Sequence, residues 1–490
     1  MPEIPIGGSF YRSESLPISA QECVNLYTNI AEVSTPSKKQ LFMPAGIVEA
    51  CTAGENSYNR GGINFIEKPY FVQGHDLHRI DATYDSFGVP TYSAVKVNGS
   101  EELPGYKMTI LAENGTAGGQ ICIVVPELDV QFNAWIYTIA GGLVQISDSD
   151  FNGPVSSVQF VDGYFLFTKK DGQQFFISDL RDGFSYISTD FSDAEAVPDP
   201  IVACLILANL PLIFGSQTVQ AFQNVGGTGF PFVAVQGSIL KKGLASIYGA
   251  IAYNEYAIFL GGGENERPAI LIGNSNGIDR LSTIAIENEI GKYSADTISN
   301  CFTWNYTQSG AQFVGFTFPG EQTFVFDFRA KEWHTRSSIN GAGQVVPYRV
   351  SCVVDVYGVL MVGDSISNKI GILDKTVYTE YGGYVPRRFV TPQFDNEGWP
   401  FFMESIELFS QPGSGLTGGQ GASPKVLLSI SRDGGMTFED PRTLTGGRIG
   451  EYNKRLIWNQ CGRVALEACL KFEMTDPINW TIRKVNAEFE

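Results

Sequence analysis

The chain has 490 residues, 43% of them apolar and only 18% charged, enough for about two to four domains with a substantial core in each. Its 52 acidic residues outnumber 34 basic ones, and a net charge of -18 argues against a surface that grips nucleic acid by its phosphates. The 54 glycines and 12% aromatic content predict many short strands joined by tight turns, an all-β chain.

The Met-Pro-Glu start has neither a basic nor an apolar signal region, so synthesis in a reducing cytoplasm is expected. Eight cysteines (Cys23, Cys51, Cys122, Cys204, Cys301, Cys352, Cys461 and Cys469) fit that compartment. No C-x-x-C pair occurs, and runs such as IVACLILA and ALEACLKF predict buried free thiols.

From Ile63 a unit repeats: an apolar strand, a polar or glycine-containing turn, a second apolar strand ending near glycine, then a third ending in a polar residue. It opens with INFIEKPYFVQGHDLHRID, recurs more weakly near Lys107, and starts again at Val155, Ile201, Ser246, Cys301 and Val350. Starts roughly 45 to 50 residues apart have the period of a propeller blade and favour radial repetition over an irregular sandwich. The Ile201 unit holds the longest apolar run, IVACLILANLPLIFG, too short for a membrane span and broken by Asn209 and Pro211. Past Asp374 the repeat stops and longer strands follow, from FFMESIELFS to WTIRKVNAEFE. The expected fold is therefore all-β, a β-propeller of six or seven blades followed by a C-terminal β-sandwich-like domain. The expected division is residues 1–60 as a segment closing or flanking the propeller, 61–375 as the propeller and 376–490 as the C-terminal β-domain. The excursion QPGSGLTGGQGASP, from Gln411, lacks apolar content and reads as a mobile surface loop.

SRDGGMTF in the last domain matches the Asp-box pattern S-x-D-x-G-x-T-[WF], found on β-hairpins of sialidases and of many proteins that are not enzymes. Its pattern residues are Ser431, Asp433, Gly434, Gly435, Thr437 and Phe438. Asp433 is placed to accept hydrogen bonds from the turn, the glycines to supply positive φ, and Phe438 to pack beneath, so the hairpin reads as structural. A sialidase needs an arginine cluster, a tyrosine nucleophile and usually several boxes within the propeller. Here one box lies outside the repeat, and no F/Y-R-I-P segment stands near the start. His75 and His78 bracket Asp76 in QGHDLHRI and could ligate a metal, but a strand puts the two histidines on opposite faces, and no third ligand is evident. His334, following Trp333, has no G-x-S-x-G nucleophile to serve. FLGGGENERP and VGGTGFPF lack the Lys-Ser/Thr of a phosphate loop and read as turns. No catalytic residue, cofactor site or metal site is assigned.

Several blocks together resemble the tail hub, or nozzle, proteins of short-tailed bacteriophages, also called packaged-DNA stabilisation proteins. SFYRSESLPISAQECVNLYTN, Ser9 to Asn29, carries a Gln-x-Cys-x-Asn-Leu-Tyr core and is followed by LFMPAGI. VDGYFLF, FISDL, SDAEAVPDPIVA, FGSQTVQAFQNVGGTGFPF and GLASIYG come next, then SRDGGMTF and GEYNKRLIWNQCGR. Phe438 stands where tryptophan is commoner, and Val464 where a basic residue is usual. The resemblance implies a virion tail protein in a ring of six copies of itself, without enzymatic activity or cofactor and without a membrane segment. That ring would sit beneath the head-to-tail adaptor ring, with tail needle, fibre or tailspike proteins as further partners. Genomic DNA would pass through its channel without specific binding, along a carboxylate-rich wall that offers no counterion release. The alternative is a receptor- or glycan-binding tail protein using aromatic platforms such as Trp333 or Trp480, although both types of residue are more often strand cores.

Overall fold

The computed structural model describes residues 3–490 apart from 17, 34–36, 55–56, 116–118, 195–198 and 228. Seven antiparallel sheets stand around a closed circle, so the six or seven expected blades are seven. Blade 1 spans residues 59–96, blade 2 110–145, blade 3 155–193, blade 4 201–234 and blade 5 243–280. Blade 6 spans 302–339, and blade 7 joins 350–374 to the strand Gly46–Thr52 from the N-terminal segment. That strand pairs antiparallel with Lys369–Asp374, from Lys369 opposite Thr52 to Asp374 opposite Gly46, and thereby closes the circle.

The period-2 alternation of strands explains why the blades stack. In the second strand of blade 1, Lys68–Gln73, Tyr70 and Val72 enter the wedge against blade 2, while Phe71 enters the wedge against blade 7. With a neighbour on each face, such a strand is apolar throughout rather than on one side. Seven separate hydrophobic clusters result, one per wedge. Each buried Phe, Leu or Ile contributes about 1.5–3 kcal/mol there. Tight turns set the register: in VDGY, Asp162 and Gly163 both take positive φ, +50° and +94°, between the paired Val161 and Tyr164.

The C-terminal domain is a β-sandwich. One sheet orders Tyr27–Ile30, Lys39–Phe42, Ile482–Phe489, Phe401–Ser410 and Leu456–Val464. The other contains Arg387–Val390, Glu467–Met474, Lys425–Ser431 and Arg442–Thr445, over a core that includes Phe389, Trp458, Phe472 and Trp480. This second sheet does not end at the domain. The N-terminal strand Ala20–Val24 pairs with Arg387–Val390 on one side and with the last main strand of blade 6, Glu332–Ile339, on the other, so one sheet runs from propeller to sandwich.

The Gln411 excursion folds back on the sandwich. Leu416 N donates to Gly421 O at 2.8 Å, Ser414 Oγ donates to Asn479 O at 3.1 Å, and Gly413, Gly415 and Gly421 are buried. Two short helices, Ile284–Ile290 and Ala295–Ser299, lie between blades 5 and 6, and no helix among the described residues is long and apolar enough to cross a membrane.

Candidate functional site

Lys425–Ser431 and Arg442–Thr445 form the hairpin that carries the Asp box, with Leu428 opposite Arg442. Ser431 Oγ donates to Asp433 Oδ1 at 2.7 Å and accepts from Gly435 N at 2.9 Å, while the Asp433 carboxylate accepts from Thr437 N at 2.9 Å and from Thr437 Oγ1. Partial burial draws the Asp433 carboxyl upward, but the bonds from Thr437 and Ser431 together outweigh it and hold the group down to about 2. Gly434 and Gly435 have φ of +70° and +90°. Phe438 is half-buried at the hairpin edge, with the Lys471 ammonium 4.9 Å from its ring centre, so it packs less deeply than the sequence suggests. The loop also reaches outward. Arg432 donates to Arg463 O at 2.8 Å, Gln393 Nε2 bonds both Gly434 O and Leu16 O, and a Cβ on Gly435 would lie 2.3 Å from Ala20 Cβ. The arrangement holds the N-terminal segment against the sandwich, and the side-chain oxygens of Ser431, Asp433 and Thr437 bond one another or the turn backbone.

The histidines lie apart from any ligand set. His75 sits in a turn with Nδ1 3.0 Å from Leu103 O, and Asp76 pairs with Lys96 at 2.7 Å. His78 and His334 are buried, and burial lowers the pKa of both. Among the described residues no group of three His, Cys, Asp or Glu side chains could hold a metal. Trp333 donates to Leu281 O at 3.0 Å from inside the wedge between blades 5 and 6, and Trp480 lies against Phe389 in the sandwich core. At 3% and 1% exposure neither offers the aromatic platform that a glycan-binding reading requires of it.

Sequence reasoning missed a junction built on Asn25. This residue is buried in the left-handed region (φ +53°), where its Nδ2 donates to Ser337 O at 2.9 Å and Pro386 O at 2.7 Å and its Oδ1 accepts from Ser337 N at 3.0 Å. Its neighbours divide between two cores: Cys23 and Leu26 enter the sandwich, whereas Tyr27 enters the wedge between blades 6 and 7 and meets Phe313 edge-on at 5.0 Å. The Gln-x-Cys-x-Asn-Leu-Tyr block is thus a two-way anchor. Beside it the linker leaving blade 7 buries a charged cluster, where Arg349 and Asp364 pair at 2.5 Å and Arg387 donates to Asp476 O at 2.8 Å. Burial pushes the Glu380 carboxyl in this cluster up to about 7, against the pull of Ser338, Arg349 and Arg387.

Two features of the propeller bear on passage of a large ligand. Its axial channel is pinched by Met108, Tyr248 and Phe302, which separate a cavity of about 260 Å3 from one of about 250 Å3. Both of its faces expose more acid than base. The connections between blades and the turns between second and third strands share one face, which exposes Glu101, Glu102, Asp129, Asp150, Asp171 and Glu264. Lys107, Lys170, Lys242 and Lys292 on that face are each paired with a carboxylate, while Lys241 and Arg267 are exposed there. The opposite face is acidic as well, exposing Glu67, Asp85, Asp162, Glu255 and Asp355 beside Arg181 and Lys331, while Arg329 pairs with Glu32.

The remaining blocks of the resemblance place polar groups in the blades. Asp199 accepts from Gln217 N and Thr218 N at 2.8 and 3.0 Å in blade 4, and Ser246 donates to Ser299 O and Cys301 O at 2.8 and 2.7 Å ahead of blade 6. Pro17, Thr228 and residues 195–198 of these blocks lie outside the described residues.

Comparison with known proteins follows the same division. The tail hub protein gp10 of Salmonella phage P22 is 23% identical over 336 residues, covering 65% of this chain and 67% of that protein. Among solved structures, a chain of the mitotic checkpoint complex aligns at 9% identity over 71% of this chain and 98% of its own, with a TM-score of 0.39. PorZ of Porphyromonas gingivalis aligns at 9% identity over 68% and 38%, with a TM-score of 0.37, and likenesses this loose carry no argument. The family model described as Bacteriophage P22 Gp10, beta-propeller, matches residues 2–378, and its companion, Bacteriophage P22 Gp10, beta-sandwich, matches 386–490. With the two matches meeting at the linker that buries Glu380, the chain belongs to the bacteriophage P22 Gp10 family.

Proposed function

We propose that this protein is a structural subunit of the tail hub of a short-tailed bacteriophage. Six copies form a closed ring beneath the head-to-tail adaptor, retain the packaged genome and bound the channel through which it leaves. The observation that carries the reading is family membership along both domains. The pinched axial channel supports placing the DNA path between subunits, since duplex DNA cannot pass cavities of about 250 Å3. The acidic propeller faces support a wall along which a polyanion slides without counterion release. In this reading residues 1–60 fasten the propeller, 61–375, to the β-sandwich, 376–490, with the Asp box as a structural bracket. Adaptor, needle, fibre or tailspike proteins complete the assembly, and the subunit turns over no saccharide. Cryo-electron microscopy of the virion tail is the test. A ring on the tail axis with an acidic inner wall is expected; a peripheral spike, or a ring with a basic inner wall, sinks the reading.

A further inference from the structure

The mouth of the propeller's axial channel, on the face of the blade connections, is a cavity to which the hub reading gives no use. We propose that it binds a neutral saccharide ring. The cavity holds about 250 Å3 and is closed below by Met108, Tyr248 and Phe302. Tyr58 and Tyr106, on the approaches to blades 1 and 2, and Tyr248, in blade 5, bring three tyrosines to its wall. Tyr106 is held in place although 68% exposed: the Tyr58 hydroxyl donates to its carbonyl at 2.9 Å, and the His75 ring meets it edge-on at 5.5 Å. The hydroxyls of Tyr106, Tyr248 and Ser365 make no hydrogen bond within the described chain, so aromatic faces and open donor–acceptor groups line the same cavity.

Charge selects the class of ligand. The cation on the wall, Lys107, faces Asp296 at 3.5 Å, which leaves no free positive group for a phosphate or carboxylate, and the surrounding acidic face repels anions. A purely apolar chain would strand the open hydroxyls without partners. A neutral sugar ring matches both halves of the lining, stacking C–H faces on tyrosine rings and exchanging hydrogen bonds with hydroxyls. This site is independent of the ring assembly, and either reading can fail without the other.

The test is saturation-transfer NMR and calorimetric titration of the full chain with the methyl glycosides of a hexose, a 6-deoxyhexose and an N-acetylhexosamine. At least one is expected to bind with a Kd on the order of 1 mM, as suits a ligand of that size. Tyr106→Ala and Ser365→Ala should each weaken that binding, Tyr106→Ala by about fivefold or more, with thermal melting unchanged. Tyr256→Ala, an exposed tyrosine on the opposite face, should leave it intact. No saturation transfer to any of the three glycosides overturns the proposal. So does binding that survives Tyr106→Ala, a preference for a sialic or uronic acid glycoside, or a virion map in which a peptide of another tail protein fills the cavity.

Discussion

Deleting the Asp433 carboxylate leaves Thr437 N and the Ser431 hydroxyl without their acceptor, so Asp433→Ala is expected to lower stability by about 1–3 kcal/mol, read from the denaturant midpoint. Because the folded group titrates near 2, its contribution is complete above the ordinary carboxylate range and fades as pH falls through about 2. Gly435→Val should cost more, since it needs φ of +90° and drives its Cβ into Ala20; equal melting of the two variants would count against the bracket. Asn25→Ala removes the amide that satisfies Ser337 and Pro386 and leaves a left-handed alanine, for an expected loss of about 2–4 kcal/mol by the same measurement. The Asp box was legible because its partners fall within a few residues of one another. Asn25 stood in a recognisable block with no visible purpose, because its partners lie 312 and 361 positions away.

Blades were legible as elements for a related reason. Each is a meander whose strands pair with their sequence neighbours, so alternation and turn residues announce it locally. The strand Gly46–Thr52 breaks that pattern, because its partner is the last strand of the repeat and its other edge meets the linker, Ile47 N donating to Thr379 O at 2.8 Å. Nothing in GIVEACT points to residues 369–374. Val48 is half-exposed, so replacing it tests the ladder more than the core. Val48→Pro is expected to cost about 3 kcal/mol and to raise hydrogen exchange in 46–52 and 369–374 together. Protection lost in only one of the two segments would show that the circle closes by other means.

At the scale of the whole molecule, two domain types were legible because strand length and turn density change after Asp374, whereas their union was not. A shared sheet through Ala20–Val24 depends on pairings that join the beginning of the chain to blade 6 and to the sandwich at once. The linker cluster gives this union a pH dependence with a definite sign. Glu380 sits at about 7 in the fold against 4.5 ordinarily, so its stabilising neutral form is complete below about 4.5 and is lost as pH rises through 7. Glu380→Gln fixes the neutral form. It should match the parent near pH 4 and exceed it by up to about 3 kcal/mol near pH 8, measured as paired denaturation midpoints. A constant difference across that range would remove Glu380 from the account.

The shared strand also sets a timetable for synthesis. Ala20–Val24 and Gly46–Thr52 are made well before their partners in blade 6 and blade 7, which follow more than 300 residues later, as the 312-residue separation of Asn25 and Ser337 measures. At about 5–20 residues per second, these strands wait roughly 15–60 s for their long-range partners, Ala20–Val24 meanwhile pairing only with Tyr11–Arg12. During that interval the nascent propeller is an open arc with two sticky ends, and neighbouring chains on one messenger present the same ends to each other. Intermolecular closure, one chain's first strand completing another chain's seventh blade, is therefore the characteristic misassembly of this architecture.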